Sequence, residues 1–169
     1  MTLHSLLADP ALAGTWTLEP EQSSVRFTSR TLWGLVPVNG RFTEMSGEGR
    51  ITPDGTLSGR LVIKAASVRT GIGMRDRHLR RADFFDAEHH PDILVDVSAA
   101  AGGELTATLT IRGTTHSAPL RATLERQGAN SLQITARGEI DRTQWGVSGN
   151  MLGMMPPDTA LAVDAVFVR

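Results

Sequence analysis

Four of the five histidines, His78, His89, His90 and His116, are residues with which this chain could hold a metal ion or relay a proton. A metal site needs ligands that converge in tetrahedral or octahedral geometry. His89 and His90 are adjacent, and on an extended segment successive side chains point to opposite faces, so the two do not readily serve one ion. Neither an HxxxH nor an HExxH spacing occurs, and cysteine is absent. The expectation is no metal and no cofactor. His78 falls within the apolar stripe of a short helical pattern, where a lone histidine reads as a hydrogen-bonded structural residue.

Nucleophilic and acid–base chemistry find no better footing. Ser23, Ser24, Ser46, Ser67 and Ser148 all lack the context of a nucleophile elbow. Asp141-Arg142 could be a catalytic pair, but an ion pair at a strand end accounts for it as well. Asp76 and Asp83, among Arg75, Arg77, Arg80 and Arg81, read as a solvated face with some structural salt bridges. The chain is therefore expected not to be an enzyme.

Composition narrows the partners. The 169 residues carry a formal charge of −1, which offers no field to draw in nucleic acid or an acidic membrane. No run approaches the roughly 18 apolar residues of a membrane span. The first ten residues have no basic cluster, and their apolar run is too short for a secretory leader, so the expected localisation is cytoplasmic. The length suits one domain.

The elements that would position any site are strands. Period-2 alternation runs through 57–65, with Leu57, Leu61, Ile63 and Ala65 on one face and Ser58, Arg60 and Lys64 on the other. It returns in 104–112 (Leu105, Ala107, Leu109, Ile111), 116–125 (Ala118, Leu120, Ala122, Leu124), 132–140 (Leu132, Ile134, Ala136, Ile140) and 159–168 (Leu161, Val163, Ala165, Phe167). Weaker strands fit 16–19, 23–32, 38–51 and 93–99. Pro53-Asp54-Gly55, Gly102-Gly103, Arg112-Gly113-Thr114 and Gln127-Gly128-Ala129-Asn130 supply the turns. About eight such strands leave unpaired edges unless the sheet closes, so an antiparallel barrel is expected, with a sandwich as the competitor. From Met74 to Phe85 the period becomes helical: Met74, His78, Ala82 and Phe85 share a stripe, with Asp76, Arg80 and Asp83 opposite.

An eight-stranded barrel is either just filled by side chains or just wide enough for one ligand. The inward faces mix aliphatic residues with Gly59, Ala65, Ala107, Ala118, Ala122, Ala136 and Ala165, and only eight aromatic side chains are present in the whole chain. Both features favour a hollow interior. The same small residues also suit tight packing near the ends of a filled barrel, and the residues alone leave the two open.

Several blocks in order carry a resemblance: Trp16-Thr17-Leu18-Glu19-Pro20, Ser23-Ser24-Val25-Arg26-Phe27, Gly40-Arg41-Phe42-Thr43-Glu44-Met45-Ser46-Gly47 and Ala66-Ser67-Val68-Arg69-Thr70. The most specific is Arg75-Asp76-Arg77-His78-Leu79-Arg80-Arg81-Ala82-Asp83-Phe84-Phe85-Asp86-Ala87 with Pro91 beyond it. Leu109-Thr110-Ile111-Arg112-Gly113-Thr114-Thr115 and Ile140-Asp141-Arg142-Thr143-Gln144-Trp145-Gly146-Val147 complete the set. From about residue 15 to the end the chain resembles the YceI-like family of lipid- or polyisoprenoid-binding proteins. The resemblance implies an all-β fold, a lipocalin-like extended antiparallel barrel, with an elongated apolar pocket that holds isoprenoid chains or fatty amides. Many members carry a secretory signal, from which this N-terminus departs. Residues 1–14 have no counterpart and are expected to form an arm, flexible or weakly packed, ahead of a barrel domain spanning 15–169.

Together these readings imply non-enzymatic binding, sequestration or transport of a long-chain apolar lipid such as a polyisoprenoid, a quinone-like molecule or a fatty acyl amide. The expected lining is Phe27, Phe42, Leu61, Ile63, Leu109, Ile111, Leu120, Ile134 and Val163, with Trp33 and Phe84 or Phe85 near an opening. Two other classes remain. An enzyme acting on an isoprenoid-type substrate would need an inward titratable group with a perturbed pKa and a partner. A structural or stress-related protein-binding module would show a filled lumen and an exposed strand edge. Val62, Leu94, Val166 and Val168 at outward parity suggest a homodimer.

Overall fold

The computed structural model describes residues 3–31, 36–101, 103–149 and 157–169. Among them are twelve strands: β1 Gly14–Leu18, β2 Ser24–Thr31, β3 Val36–Phe42, β4 Met45–Ile51, β5 Leu57–Lys64, β6 Val68–Arg69, β7 Asp92–Ala99, β8 Thr106–Ile111, β9 Thr114–Ala118, β10 Arg121–Gly128, β11 Ser131–Asp141 and β12 Asp158–Val168. Every pairing is antiparallel.

The twelve segments lie along eight lines. On one edge of β12, the C-terminal end pairs with β1 (Leu18 with Phe167) and the N-terminal stretch with β2 (Val25 with Val163). Strands β1 and β2 are thus one stave, kinked by the 3-10 turn Pro20–Gln22. Next to it, β3 and β4 form a second stave, broken at residues 43–44, and β5 and β6 a third, broken by the 3-10 turn Ala65–Ser67. Strands β9 and β10 make a fourth: β9 pairs only with β8, β10 only with β11, and Pro119 and Leu120 carry the chain between those neighbours. With β7, β8, β11 and β12 the lines number eight, as the alternation predicts. The ladder is open at the β9–β10 crossing, so the all-β barrel is bridged there by covalent chain.

Local sequence fixes the turns. Arg112 and Gly113 have φ of 54° and 72°, which makes β8–β9 a two-residue hairpin with both central residues left-handed. In the β4–β5 turn Gly55 has φ of 86° and donates its N–H to the Thr52 carbonyl at 3.0 Å.

Both barrel ends are covered, in ways that differ from the sequence expectations. At the lower end, residues expected to form a loose arm instead build the helix α1 Leu3–Leu7 and a 3-10 turn Pro10–Leu12. Leu6, Leu7 and Leu12 are buried. Three polar contacts hold the segment: Asp9 pairs with Arg126 at 3.1 Å, Trp16 Nε1 donates to the Leu12 carbonyl at 2.9 Å, and the Arg169 guanidinium lies 4.5 Å over the Trp16 ring. The three leucines find apolar surface in the barrel mouth, and that burial outweighs the freedom of an arm.

At the upper end, the short helix expected within 74–86 is α2 Gly73–Leu79, and tight turns continue from it to residue 89. Its orientation differs from the stripe reading. Met74 is 73% exposed, while Asp76 is buried with Leu79. The reason is polar: Asp76 Oδ1 accepts from the Thr70 N–H at 2.8 Å and the Thr70 hydroxyl at 2.6 Å, and Arg75 donates to the Thr70 hydroxyl and carbonyl, both at 2.8 Å. A charge so satisfied can face inward, where hydrophobicity alone would not put it. The turns beyond α2 then aim Phe84 and Phe85 down into the barrel.

Candidate functional site

Inward parity on the upper halves of the staves, closed from above by Leu79, Phe84 and Phe85, leaves a cavity between them. The space between its side chains is about 860 Å³, open solvent at its mouths included.

Nine of the residues expected to line a pocket meet there: Phe27, Phe42, Ile63, Phe84, Phe85, Leu109, Ile111, Leu120 and Val163. Three do not. Leu61 is buried at 5% exposure but lines neither this cavity nor the next. Ile134 lines a second, smaller apolar cavity at the lower end, with Trp16, Gly49, Gly59 and Phe167. Trp33 lies outside the described residues. Parity assigns a residue to a face; it does not give its height along the barrel, which is why Leu61 and Ile134 were grouped with the others.

Three rings form the upper part of the cavity. Phe27 and Phe42 are 5.7 Å apart, Phe42 and Phe85 5.6 Å, and Phe27 and Phe85 6.3 Å, the last two edge to face. Such pairs contribute about 0.5–1.5 kcal/mol each beyond their buried area. Phe84 is held separately. Gly149 donates its N–H to the Asp83 carbonyl at 2.6 Å, and a Cβ on Gly149 would stand 2.4 Å from the Phe84 ring. His78 meets the same ring edge-on at 5.1 Å and lies 3.1 Å from Asp83, the structural role expected of it.

The polar lining is sparse and was missed in the sequence. Ser29 and Thr159, cross-strand partners, are both buried and share a hydrogen bond of 3.0 Å. Parity could have found them, since Ser29 follows Phe27 and Thr159 precedes Leu161 by two. Arg142, from the turn after β11, is the only titratable residue in the lining among the described residues. It donates to the carbonyls of Val147 at 2.6 Å and Gly149 at 2.9 Å, and its guanidinium carbon is 5.9 Å from the centre of the Phe84 ring. Burial pushes its pKa below the usual arginine value, with the nearby Asp141 charge opposing; a guanidinium remains a donor without an acceptor. Asp141, read as a possible ion-pair or catalytic partner for it, turns away and caps Thr143, accepting from its N–H at 3.0 Å and its hydroxyl at 2.5 Å.

The remaining histidines stand outside the cavity. His89 Nδ1 is 2.8 Å from Asp86, whose second oxygen is 4.0 Å from His90 Nε2. The hydrogen bond with His89 holds the Asp86 carboxyl below its ordinary range, and that same bond raises the His89 imidazole above its own. His116 packs against the edge of Trp145 at 5.6 Å, and Trp145 Nε1 donates to the Leu109 carbonyl at 2.7 Å. Trp145, 1% exposed, is core rather than cavity lining.

Solved structures share this architecture. Burkholderia cenocepacia BcnA matches with a TM-score of 0.76 and 23% identity over 88% of this chain and 98% of its own. A polyisoprenoid binding domain from Saccharophagus degradans matches with a TM-score of 0.75 and 18% identity, over 90% and 97%. The YceI protein of Campylobacter jejuni follows at 0.63 and 24%, over 78% and 85%. In sequence, a UPF0312 protein of Staphylococcus aureus (strain N315) is 26% identical over 143 residues, 80% of this chain and 83% of that protein. The YceI-like domain model matches residues 16–167, and the chain therefore belongs to the YceI-like family.

Proposed function

We propose that this protein sequesters or carries one long apolar chain, of isoprenoid, quinone-like or fatty-acyl type, in the upper half of its barrel and performs no chemistry on it. The observation that carries the reading is the lining: among the described residues, aliphatic and aromatic side chains throughout, relieved only by Ser29, Thr159 and Arg142. Each methylene moved from water into such a wall contributes about 0.8 kcal/mol, so length and width decide affinity. The lining includes no carboxylate or imidazole among the described residues, which leaves an enzymatic reading without a general base. The similarity to a domain described as polyisoprenoid-binding agrees with this. Native mass spectrometry of the purified protein, with extraction and identification of co-purifying lipid, is the test. A chain that neither arrives with lipid nor takes up any long-chain probe overturns the reading.

Pairing of two copies belongs to the same proposal. Val62 and Leu94 are cross-strand neighbours on the outer face, half-buried in the single chain. Val166, at the same outward parity, is already buried. Sedimentation equilibrium at tens of micromolar (about the range in which weak association shows) is expected to show dimer; monomer alone removes this part.

A further inference from the structure

The two cavities lie on one axis, and several staves pass from one to the other across a position that lines neither, although on β7 Val97 of the lower cavity and Val95 of the upper are successive inward residues. On β5, Gly59 belongs to the lower cavity and Ile63 to the upper, with Leu61 between them. On β10, Leu124 and Leu120 bracket Ala122; on β12, Phe167 and Val163 bracket Ala165. Ala136 of β11 follows Ile134 of the lower cavity and is the cross-strand partner of Val163. Leu18 of β1 stands two residues beyond Trp16, also of the lower cavity.

This layer is lopsided. One wall supplies the leucines Leu18 and Leu61, both buried; the other supplies alanines. Between the leucines sits Gly47. A Cβ there would be 3.2 Å from Leu18 Cβ and 3.4 Å from Leu61 Cδ1, so the missing side chain is what lets the two lean over the same spot.

We propose that Leu18 and Leu61 form a partition that ends the upper cavity and sets the length of chain the protein accepts. The inference rests on the sequestration reading and names its specificity determinant. An alkyl chain entering from above gains contact until its tip meets the leucines; beyond that, further carbons stay outside or force the wall. Truncating Leu61 to alanine removes three carbons and joins the upper cavity to the lower, which by itself admits about one water-sized group.

The test is a homologous series of straight-chain alcohols, competed against a fluorescent fatty probe, on the parent, Leu61→Ala and Leu18→Ala. The milder Leu61→Val guards against a variant that fails to fold. In the parent, affinity should rise about fourfold per methylene, the ratio that 0.8 kcal/mol implies, and then level off. In Leu61→Ala the levelling should come about four carbons later, and in Leu61→Val slightly later than in the parent. The same levelling length in parent and variants overturns the partition. Xenon in crystals of the parent and Leu61→Ala reads it without any lipid: two separate sites that merge in the variant uphold it, and one continuous column in the parent overturns it. If the parent takes up no alcohol of any length, the sequestration reading falls, and the xenon maps still decide the partition.

Discussion

Phe27 lies flat against the backbone of Gly40, its cross-strand partner: a Cβ at position 40 would stand 2.1 Å from Cζ of the ring. No side chain survives that approach, so glycine here is a condition for the aromatic trio above the cavity. Gly40→Ala should swing Phe27 off its seat, costing about 1–3 kcal/mol as overpacking does, and push the ring into the upper cavity. Urea unfolding should show the lost stability, and uptake of a fatty probe should fall with it. A variant as stable as the parent would mean that Phe27 has another resting place.

Filling the cavity from β12 separates binding from folding. Val163 lines the upper cavity opposite Val25. Val163→Phe adds a ring where there is free volume, so uptake of long-chain lipid should be lost at a stability cost within about 1–3 kcal/mol. Unchanged uptake in a folded variant would place the ligand elsewhere. Ala136→Phe, the substitution that strand alternation alone suggests, would load the partition layer instead.

Ser29 and Thr159 make an asymmetric pair of predictions. Ser29→Ala leaves a buried hydroxyl on Thr159 without its partner and should cost about 1–3 kcal/mol. Replacing both, Ser29→Ala with Thr159→Val, should recover most of that loss, because no polar atom is then stranded. Chemical denaturation of the single and double variants reads the difference. A double variant worse than the single would show that the two hydroxyls serve something besides each other.

Acid should act through Asp76. Burial works to raise its pKa, but the hydrogen bonds from the Thr70 hydroxyl and N–H, with the charges of Arg69 and Arg80, more than offset it, and the net shift is downward. A carboxyl whose folded pKa is depressed adds stability that is present above its unfolded value, about 3.9, and lost as pH falls through the folded one. Asp76→Ala should cost about 1–3 kcal/mol at neutral pH and flatten the acid limb of the stability profile. An acid limb identical to the parent's would assign that loss to other carboxylates.

His89 reports the opposite sign. Its imidazole is held above the ordinary value by Asp86, so the small stabilisation it brings is complete below its unfolded pKa and fades as pH rises through the raised one. Titration of the ring by NMR should give a midpoint above about 6.5, returning to that value in Asp86→Asn. A midpoint indifferent to residue 86 would remove the coupling.

Strand alternation carried most of this architecture because a residue's face follows from odd or even position, and nine cavity residues share the correct parity or belong to the Phe84-Phe85 pair. Three things were not legible. Height along the axis is set by stagger between staves, so Leu61 and Ile134 could not be sorted from Ile63 and Ile140. The break at residues 43–44 splits the single strand expected over 38–51, whereas those at 20–22 and 65–67 fall at expected strand ends. And Asp76 and Arg142 face inward against their type, because local hydrogen bonds to Thr70 and to the carbonyls of Val147 and Gly149 satisfy them.

Strand β12 touches β1, β2 and β11 at once. Strand β12 is therefore stitched to β1 and β2, which lie 130 or more residues earlier. While the protein is being synthesised, the staves before β12 are all present and the wall is still missing one plank. The flanks of β1, β2 and β11 must then wait unpaired, exposed to any strand that comes near. Closure by such distant partners is intrinsically slow. The step most exposed to misassembly is thus the arrival of β12.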